Sequence, residues 1–347
     1  MNNGIELISS DSFSSISDIV YSRYVIKDFI KSNDFKNFEI LSERGNFYLV
    51  KIKDYSLSNN SIIYSNTEAI DFLFEDLNRS KELENLTLIT HESDMPITKN
   101  IYLKKPKSIS KWFGINIFYE NDNLIPIPIG IPGKFTAFYD KQYAFKKYSI
   151  ENKINKIYIN FRDNTNNKER QGLKSYYKKK DWAVVENHKI NSDEYQHNLK
   201  KYLYNLCPFG NGIDTYRIWE TLASGSIPIT KNHPALKSFK LFPIIFLDNL
   251  KIENLEKLEI ELDKYKNYNF NFLNIEYWHD MIKDKSITEK NNNKVNIFQD
   301  DDLFKKKKEI FTKKEIKKSK LKKVKYYLAR YTNLKNYYIF FKKKYNN

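Results

Sequence analysis

LCPFGNGIDTYRIWETLASGSIPIT, residues 206–230, holds three of the nine glycines of the 347-residue chain. It reads as strand, glycine loop, helix, strand. Tyr204 to Cys207 is a short apolar run that stops at Pro208. Phe209-Gly210-Asn211-Gly212 is turn chemistry, because glycine and asparagine reach positive φ at little cost. Asp214 or Thr215 is placed to cap the helix that follows, and Ile218, Trp219 and Leu222 fall on its inward face. Gly225 ends that helix. Ser226–Thr230 is the next strand, with Pro228 near its start where a missing donor is tolerable.

Such a unit aims free backbone N–H groups and the positive end of a helix at one point, which suits a phosphate. Arg217 and Glu220, three residues apart, lie on neighbouring faces of the first turns. The spacing leaves two readings. One is a nucleotide cradle with Arg217 on the diphosphate and Glu220 on ribose hydroxyls. The other is a plain turn with a surface ion pair.

The stretch GNGIDTYRIWETLASGSIPIT resembles the C-terminal signature of exostosin-like glycosyltransferases and their bacterial and viral relatives. It is more distantly similar to the donor motif of α1,3-fucosyltransferase-like enzymes. Thr221 stands where the family usually has alanine. The resemblance implies a GT-B-like α/β fold, two Rossmann-like domains facing a cleft, here followed by a basic helical C-terminal tail. It implies transfer of a sugar from a nucleotide diphosphate sugar, with inversion and without a metal cofactor. Gly210, Asn211, Gly212, Asp214, Arg217 and Glu220 would then bind the donor.

Composition sets the surroundings of that unit. The formal net charge is +16, but residues 305–347 carry seventeen Lys or Arg against Glu309 and Glu315, so +15 belongs to the tail. The nearly neutral body argues against a nucleic-acid groove. The one cysteine, Cys207, allows no internal disulfide and suggests a reducing cytoplasm. The first residues lack the basic and apolar regions of a signal peptide, and no apolar run reaches membrane-spanning length. Three segments are expected: an acceptor-side domain over 1–148, a nucleotide-sugar domain over 149–298, and a Lys-rich linker and tail over 299–347.

Towards the N-terminus, residues 1–35 read as helical, with Ile16, Ile19, Val20 and Tyr24 as an apolar stripe. Phe38–Leu41 and Phe47–Ile52 read as strands joined by the Arg44-Gly45-Asn46 turn. Thr67–Leu77 reads as a helix capped by Thr67. Leu86–Thr90 is a buried strand running into His91-Glu92-Ser93-Asp94-Met95-Pro96, a polar loop where α/β folds bind ligands. The family carries a similar H-x-S-D segment, and the fucosyltransferase-like enzymes place a catalytic glutamate in a comparable loop. The general base of an inverting transfer is therefore sought at Asp94, then Glu92, then His91. Trp112, Asn116 and the Ile/Pro alternation of residues 125–132 also resemble the family. That alternation cannot sit between two strands. Phe135–Tyr148 is basic and aromatic and is expected to connect the halves.

Ile154–Phe161 opens the second domain. The loop after it, with Arg162 and Thr165, leads to Arg170 on a helix. The resemblance makes Arg170 the first diphosphate ligand of this loop, with Arg162 and Thr165 beside it. Otherwise these residues are a solvated charge cluster. His188 is a further candidate, for the donor base. Asp300-Asp301-Asp302 imitates a metal-binding D-x-D but follows an Asn- and Lys-rich linker, and no His/Cys cluster has metal spacing. In the tail, Leu321, Val324, Leu328, Tyr331, Leu334, Tyr338 and Phe341 form one helical stripe flanked by lysine. It suits the inner leaflet of a membrane, where a lipid-linked or other glycan acceptor would be met, or it packs on the body. The competing reading of the chain is a non-enzymatic protein whose basic tail binds nucleic acid or anionic membrane.

Overall fold

A computed structural model describes residues 6–32, 36–133, 152–186, 190–259, 270–283 and 294–321, and among these described residues there are fourteen strands. They are β1 (Ile19–Ile26), β2 (Phe38–Arg44), β3 (Phe47–Ile52), β4 (Tyr55–Leu57), β5 (Ile62–Asn66), β6 (Leu86–His91) and β7 (Ile109–Gly114). They continue as β8 (Leu124–Pro126), β9 (Ile154–Ile159), β10 (Ala183–Val185), β11 (Tyr202–Leu206), β12 (Ile227–Lys231), β13 (Ile245–Leu247) and β14 (Val295–Ile297). Two compact units divide the chain: Met1–Arg23 with Tyr55–Ile297, and Tyr24–Asp54 with Phe298–Asn347.

The larger unit holds two parallel sheets, in the orders β1-β5-β6-β7-β8 and β10-β9-β11-β12-β13. Every residue of β5, β6 and β11 is buried. This is why these strands read as nearly unbroken apolar runs rather than alternating ones. Two parallel Rossmann-like sheets are what a GT-B-like α/β fold requires. Ile125 and Pro126 lie in β8, the edge strand beside β7, where a proline removes no ladder bond that a second neighbour needs.

The core is shared by both sheets. Ile8, Phe13, Tyr64, Ile89 and Phe113 from the first half join Phe209, Trp219, Phe239 and Trp278 from the second in one cluster. The backbone ties the same parts together: Ile8 N–H donates to Leu273 O at 2.9 Å and Ile275 N–H to Glu6 O at 2.9 Å.

Two local readings are corrected. Ile19–Ile26 is a strand and not a helical stripe. IVYSRYVI is rich in β-branched and aromatic residues, and the segment pairs with β5, where Ser22 Oγ meets Ser65 Oγ at 2.9 Å. The helix before it covers only Ser10–Ser15, closed by a capping box from Ser9. The second correction is a cap. Asn66, not Thr67, accepts from Glu68 N–H, and the α-helix proper runs Ile70–Arg79.

The smaller unit is a hairpin and a helix. β2 and β3 pair antiparallel through the turn at Gly45, which takes φ +56° as the sequence requires. The helix over 301–321 lays Phe304 under the Lys51 ammonium, 5.3 Å from the ring. Glu315 pairs with Arg44 at 2.5 Å, and Lys308 lies 3.9 Å from Glu39. Asp300 Oδ1 accepts from Leu303 N–H at 3.0 Å, so this aspartate caps the helix. The connector Phe135–Tyr148, His188 and the tail stripe beyond Leu321 lie outside the described residues.

Candidate active site

β6 and β11 are inner strands of their sheets, and the loops at their carboxyl ends hold most of the candidate site residues. The first is His91–Pro96. His91 is buried, its Nδ1 accepts from Glu92 N–H at 2.9 Å, and its Nε2 lies 3.2 Å from Pro128 O. Nε2 therefore bears the proton, and burial pushes the imidazole down to about 4. With both nitrogens committed to backbone, His91 is a support for this loop and not a base. Glu92 takes a left-handed φ of +58°, and its carboxylate lies 3.5 Å from Arg23, which also holds Asp11 at 2.5 Å. Asp94 is exposed to solvent.

The second loop is Pro208–Thr215. Gly210 N–H donates to Gly212 O at 2.9 Å, and Ile213 N–H to Asn116 Oδ1 at 2.8 Å. These two N–H groups are thus spent within the protein and not free for a phosphate. Neither Gly210 nor Gly212 has a positive φ. Gly212 is required for space instead: a Cβ there would stand 2.7 Å from Asn116 Oδ1. Asn116 also donates from Nδ2 to Ser93 O at 3.0 Å. One buried amide therefore fixes the acid loop to the glycine loop.

Asp214 is engaged within the protein as well. Its Oδ2 accepts from Ile129 N–H at 2.6 Å, and Trp219 Nε1–H lies 2.8 and 3.1 Å from its two oxygens. Burial pushes this carboxyl up to about 7, against the three donors that pull it down. It latches the Ile/Pro segment to the glycine loop, with both oxygens engaged by protein donors. Thr215 takes the cap position of the Tyr216–Ala223 helix, but its side chain makes no cap bond and its Oγ1 has no partner.

The two arginines differ in the same way. Arg170 is buried, with Nε donating to Phe209 O at 2.8 Å, Nη2 to Pro208 O at 3.1 Å, and Nη1 to Arg162 O at 2.8 Å and to Thr165 Oγ1. Burial lowers its pKa to about 10. Its guanidinium is consumed in stitching the Arg162–Thr165 turn to the glycine loop, so the diphosphate role expected of it is not supported by its bonds. Thr165 likewise spends its hydroxyl on Arg162 O at 2.9 Å. The Arg162 side chain and Asn211 are exposed.

Arg217 keeps a buried Nε without any hydrogen-bond partner. Burial works against its charge, but Tyr195, Cys207 and Glu220 outweigh that and hold its pKa above the usual value. Tyr195 O–H donates to Glu220 Oε2 at 3.0 Å, and the Arg217 guanidinium lies 6.0 Å from the Tyr195 ring.

Three further residues belong to this point. Lys174 lies under the field of both Arg170 and Arg217, after burial the influences that lower its pKa along with Lys178. Tyr195 supports Glu220. Tyr216, the first residue of the helix, is 43% exposed, but desolvation at its hydroxyl, and then Glu92, Asp94, Asp214 and Glu220, push its pKa up. The carboxylates of the acid loop thus act on the start of the glycine-loop helix. Nothing in the local pattern singled out Lys174, Tyr195 or Tyr216; Lys174 lies four residues past Arg170, on a new helix that starts after the left-handed Gly172.

Residues 158–323 match the family described as RXYLT1 C-terminal domain, an exostosin-like glycosyltransferase family. The match supports a glycosyltransferase. It covers somewhat under half of the chain, including the glycine loop, Arg170, Arg217 and Glu220, and leaves the acid loop outside. No curated protein matches the chain.

Proposed function

We propose that this chain moves a sugar from a nucleotide diphosphate sugar to a hydroxyl of a glycan or lipid-linked acceptor, with inversion at the anomeric carbon. Residues 1–148 serve the acceptor, residues 149–298 hold the donor, and residues 299–347 form a basic tail. The reading rests above all on Arg217, whose buried Nε has no hydrogen-bond partner at the positive end of an eight-residue helix, within the electrostatic reach of Arg170 and of Lys174, itself 3.8 Å from Asp163. An unpaired buried donor with two further cations in reach suits an anion even beside Glu220, since an orphaned buried N–H costs about 1–3 kcal/mol unless a ligand satisfies it.

In the reaction the acceptor oxygen attacks the anomeric carbon as its proton passes to Asp94. The bond from that carbon to the diphosphate oxygen breaks, and the electron pair leaves with the diphosphate. Arg217 and the helix N-terminus receive the developing charge. They supply the stabilisation that a divalent cation provides in metal-dependent transferases, so no metal is required. Glu220, oriented by Tyr195, accepts from ribose hydroxyls. Glu92, held by Arg23, shapes the field around Asp94. The enzyme works in the cytoplasm, in assembly of surface polysaccharide or glycoconjugate; no helix among the described residues is long and apolar enough to cross a membrane.

The test is thermal unfolding with UDP, GDP, CDP or dTDP in EDTA, on the wild type and on Arg217→Ala. One nucleotide at about 100 times its dissociation constant should add roughly 2.7 kcal/mol to the wild type and nothing to the variant. No shift with any of the four would remove the donor-site reading. Asp94→Asn should then keep nucleotide binding and lose transfer; full turnover in that variant would move the base elsewhere.

A further inference from the structure

The glycosyl-transfer reading leaves the basic helix over 301–321 unused. Its inner face is committed, because Phe304, Lys308 and Glu315 engage Lys51, Glu39 and Arg44 of the hairpin. The opposite face is thereby fixed outward. Lys306, Lys313, Lys317 and Lys320 follow one another on it at seven, four and three residues, all exposed. Ile310 is 48% exposed, Ile316 50% and Leu321 52%. At helical spacing these three aliphatics flank the lysine row. The only acids between 303 and 321 are Glu309 and Glu315, and Glu315 is paired with Arg44 and Lys318.

We infer that this outer face is a docking surface for an anionic lipid bilayer. Lysine heads meet anionic headgroups, and their stems together with Ile310, Ile316 and Leu321 lie in the interfacial layer. A polynucleotide would share the charge but not the rest. Its binding surfaces use exposed aromatic side chains for stacking, whereas the aromatics of this helix are Phe304, which is buried, and Phe311, which is half-buried. Isolated aliphatics at three exposed positions gain nothing from water or phosphate and gain burial in acyl chains.

The experiment is co-sedimentation of the full chain with phosphatidylcholine vesicles, with and without about one third phosphatidylglycerol, a lipid of anionic headgroup. Wild type should bind the anionic vesicles, release with salt, and ignore the neutral ones. The fourfold variant K306E/K313E/K317E/K320E should bind at least about a hundredfold more weakly. The variant I310S/I316S/L321S, with its charge intact, should lose roughly tenfold on vesicles. All substituted positions are exposed, so unchanged melting temperatures are expected and serve as the folding control. The inference is overturned if wild type does not bind anionic vesicles or if the lysine variant binds them as well as wild type. Binding of single-stranded RNA in preference to vesicles, unaffected by the serine substitutions, would assign the face to nucleic acid instead. None of these readouts depends on transferase activity, so they stand or fall apart from the nucleotide test.

Discussion

The loop after β6 and the loop after β11 are built alike, and the likeness shows how to separate support from chemistry. Each follows an inner strand of a parallel sheet. Each contains one titratable group turned into the protein with every polar atom engaged: His91 between Glu92 N–H and Pro128 O, and Asp214 between Ile129 N–H and Trp219 Nε1–H. Each also holds a group set differently: Asp94 is exposed to solvent, and the buried Arg217 Nε has no hydrogen-bond partner. In both loops the most buried ionisable residue holds the loop; the proposed function gives the ligand to the next one. Arg170 and Arg217 repeat the contrast within one half.

The sharpest way to break that contrast is to exchange the arginines' fates. Arg217→Ala should lower kcat/KM by roughly a hundred- to a thousandfold while leaving the melting temperature nearly unchanged. Steady-state kinetics beside a thermal melt checks both halves of the statement. Arg170→Ala should do the reverse first. It leaves Phe209 O and Pro208 O without their donor, and Arg162 O with Thr165 Oγ1 alone, and should cost about 3 kcal/mol in urea unfolding. Arg170→Lys should not restore it, because one ammonium cannot span the same fork of acceptors. A large activity loss at full stability in Arg170→Ala would reverse the assignment of the two residues.

The paired supports predict opposite pH slopes. His91 is held below its ordinary value, near 4. The unfolded chain therefore takes up the proton first as pH falls, and the His91 contribution to stability is lost from about 6.5 down to about 4. Asp214 is held above its ordinary value, near 7. Its contribution is complete below about 4 and is lost as pH rises through about 7. Between these limits the two trends oppose. His91→Gln should expose a stability that falls as pH rises, Asp214→Asn one that rises, each by a few kcal/mol across the window. Parallel slopes in the two variants, measured by urea unfolding from pH 4 to 7, would show that the two groups do not act as opposed supports.

The smallest effects concern the glycines. Gly212→Ala forces its Cβ against Asn116, at 2.7 Å from Oδ1 and 2.8 Å from Nδ2, and should weaken the Ile213–Asn116 bond for about 1–2 kcal/mol. Gly210→Ala meets the Arg170 Nη2 at 3.2 Å, with Thr215 Cγ2 and Gly212 O at ordinary contact distance, and should cost less. Hydrogen exchange at Ile213 N–H should rise in the first and not in the second.

Much of the frame was legible in local pattern. The unit of strand, glycine loop and helix at 206–230, the β2–β3 hairpin and the place of the acid loop past a buried strand all follow from periodicity and turn residues within a few positions. Ile19–Ile26 was misread because a run of β-branched and aromatic residues with polar interruptions fits either period, and only pairing with β5 decides it. The glycines of the 209–212 loop were expected for their dihedral freedom, but Gly212 is there because Asn116 comes from 97 residues away in the chain, counted to its bonded partner Ile213.

The sequence by itself determined that two α/β halves exist and which two loops carry charge, because strand burial and turn chemistry are written in neighbouring residues. Which charges those loops keep for a ligand was decided only by the tertiary structure. Ile129 and Asp214, 85 residues apart, meet at 2.6 Å, and Arg170 reaches three carbonyls at once. A guanidinium or carboxylate is available for chemistry only when no distant backbone group has already satisfied it, and no local pattern records that.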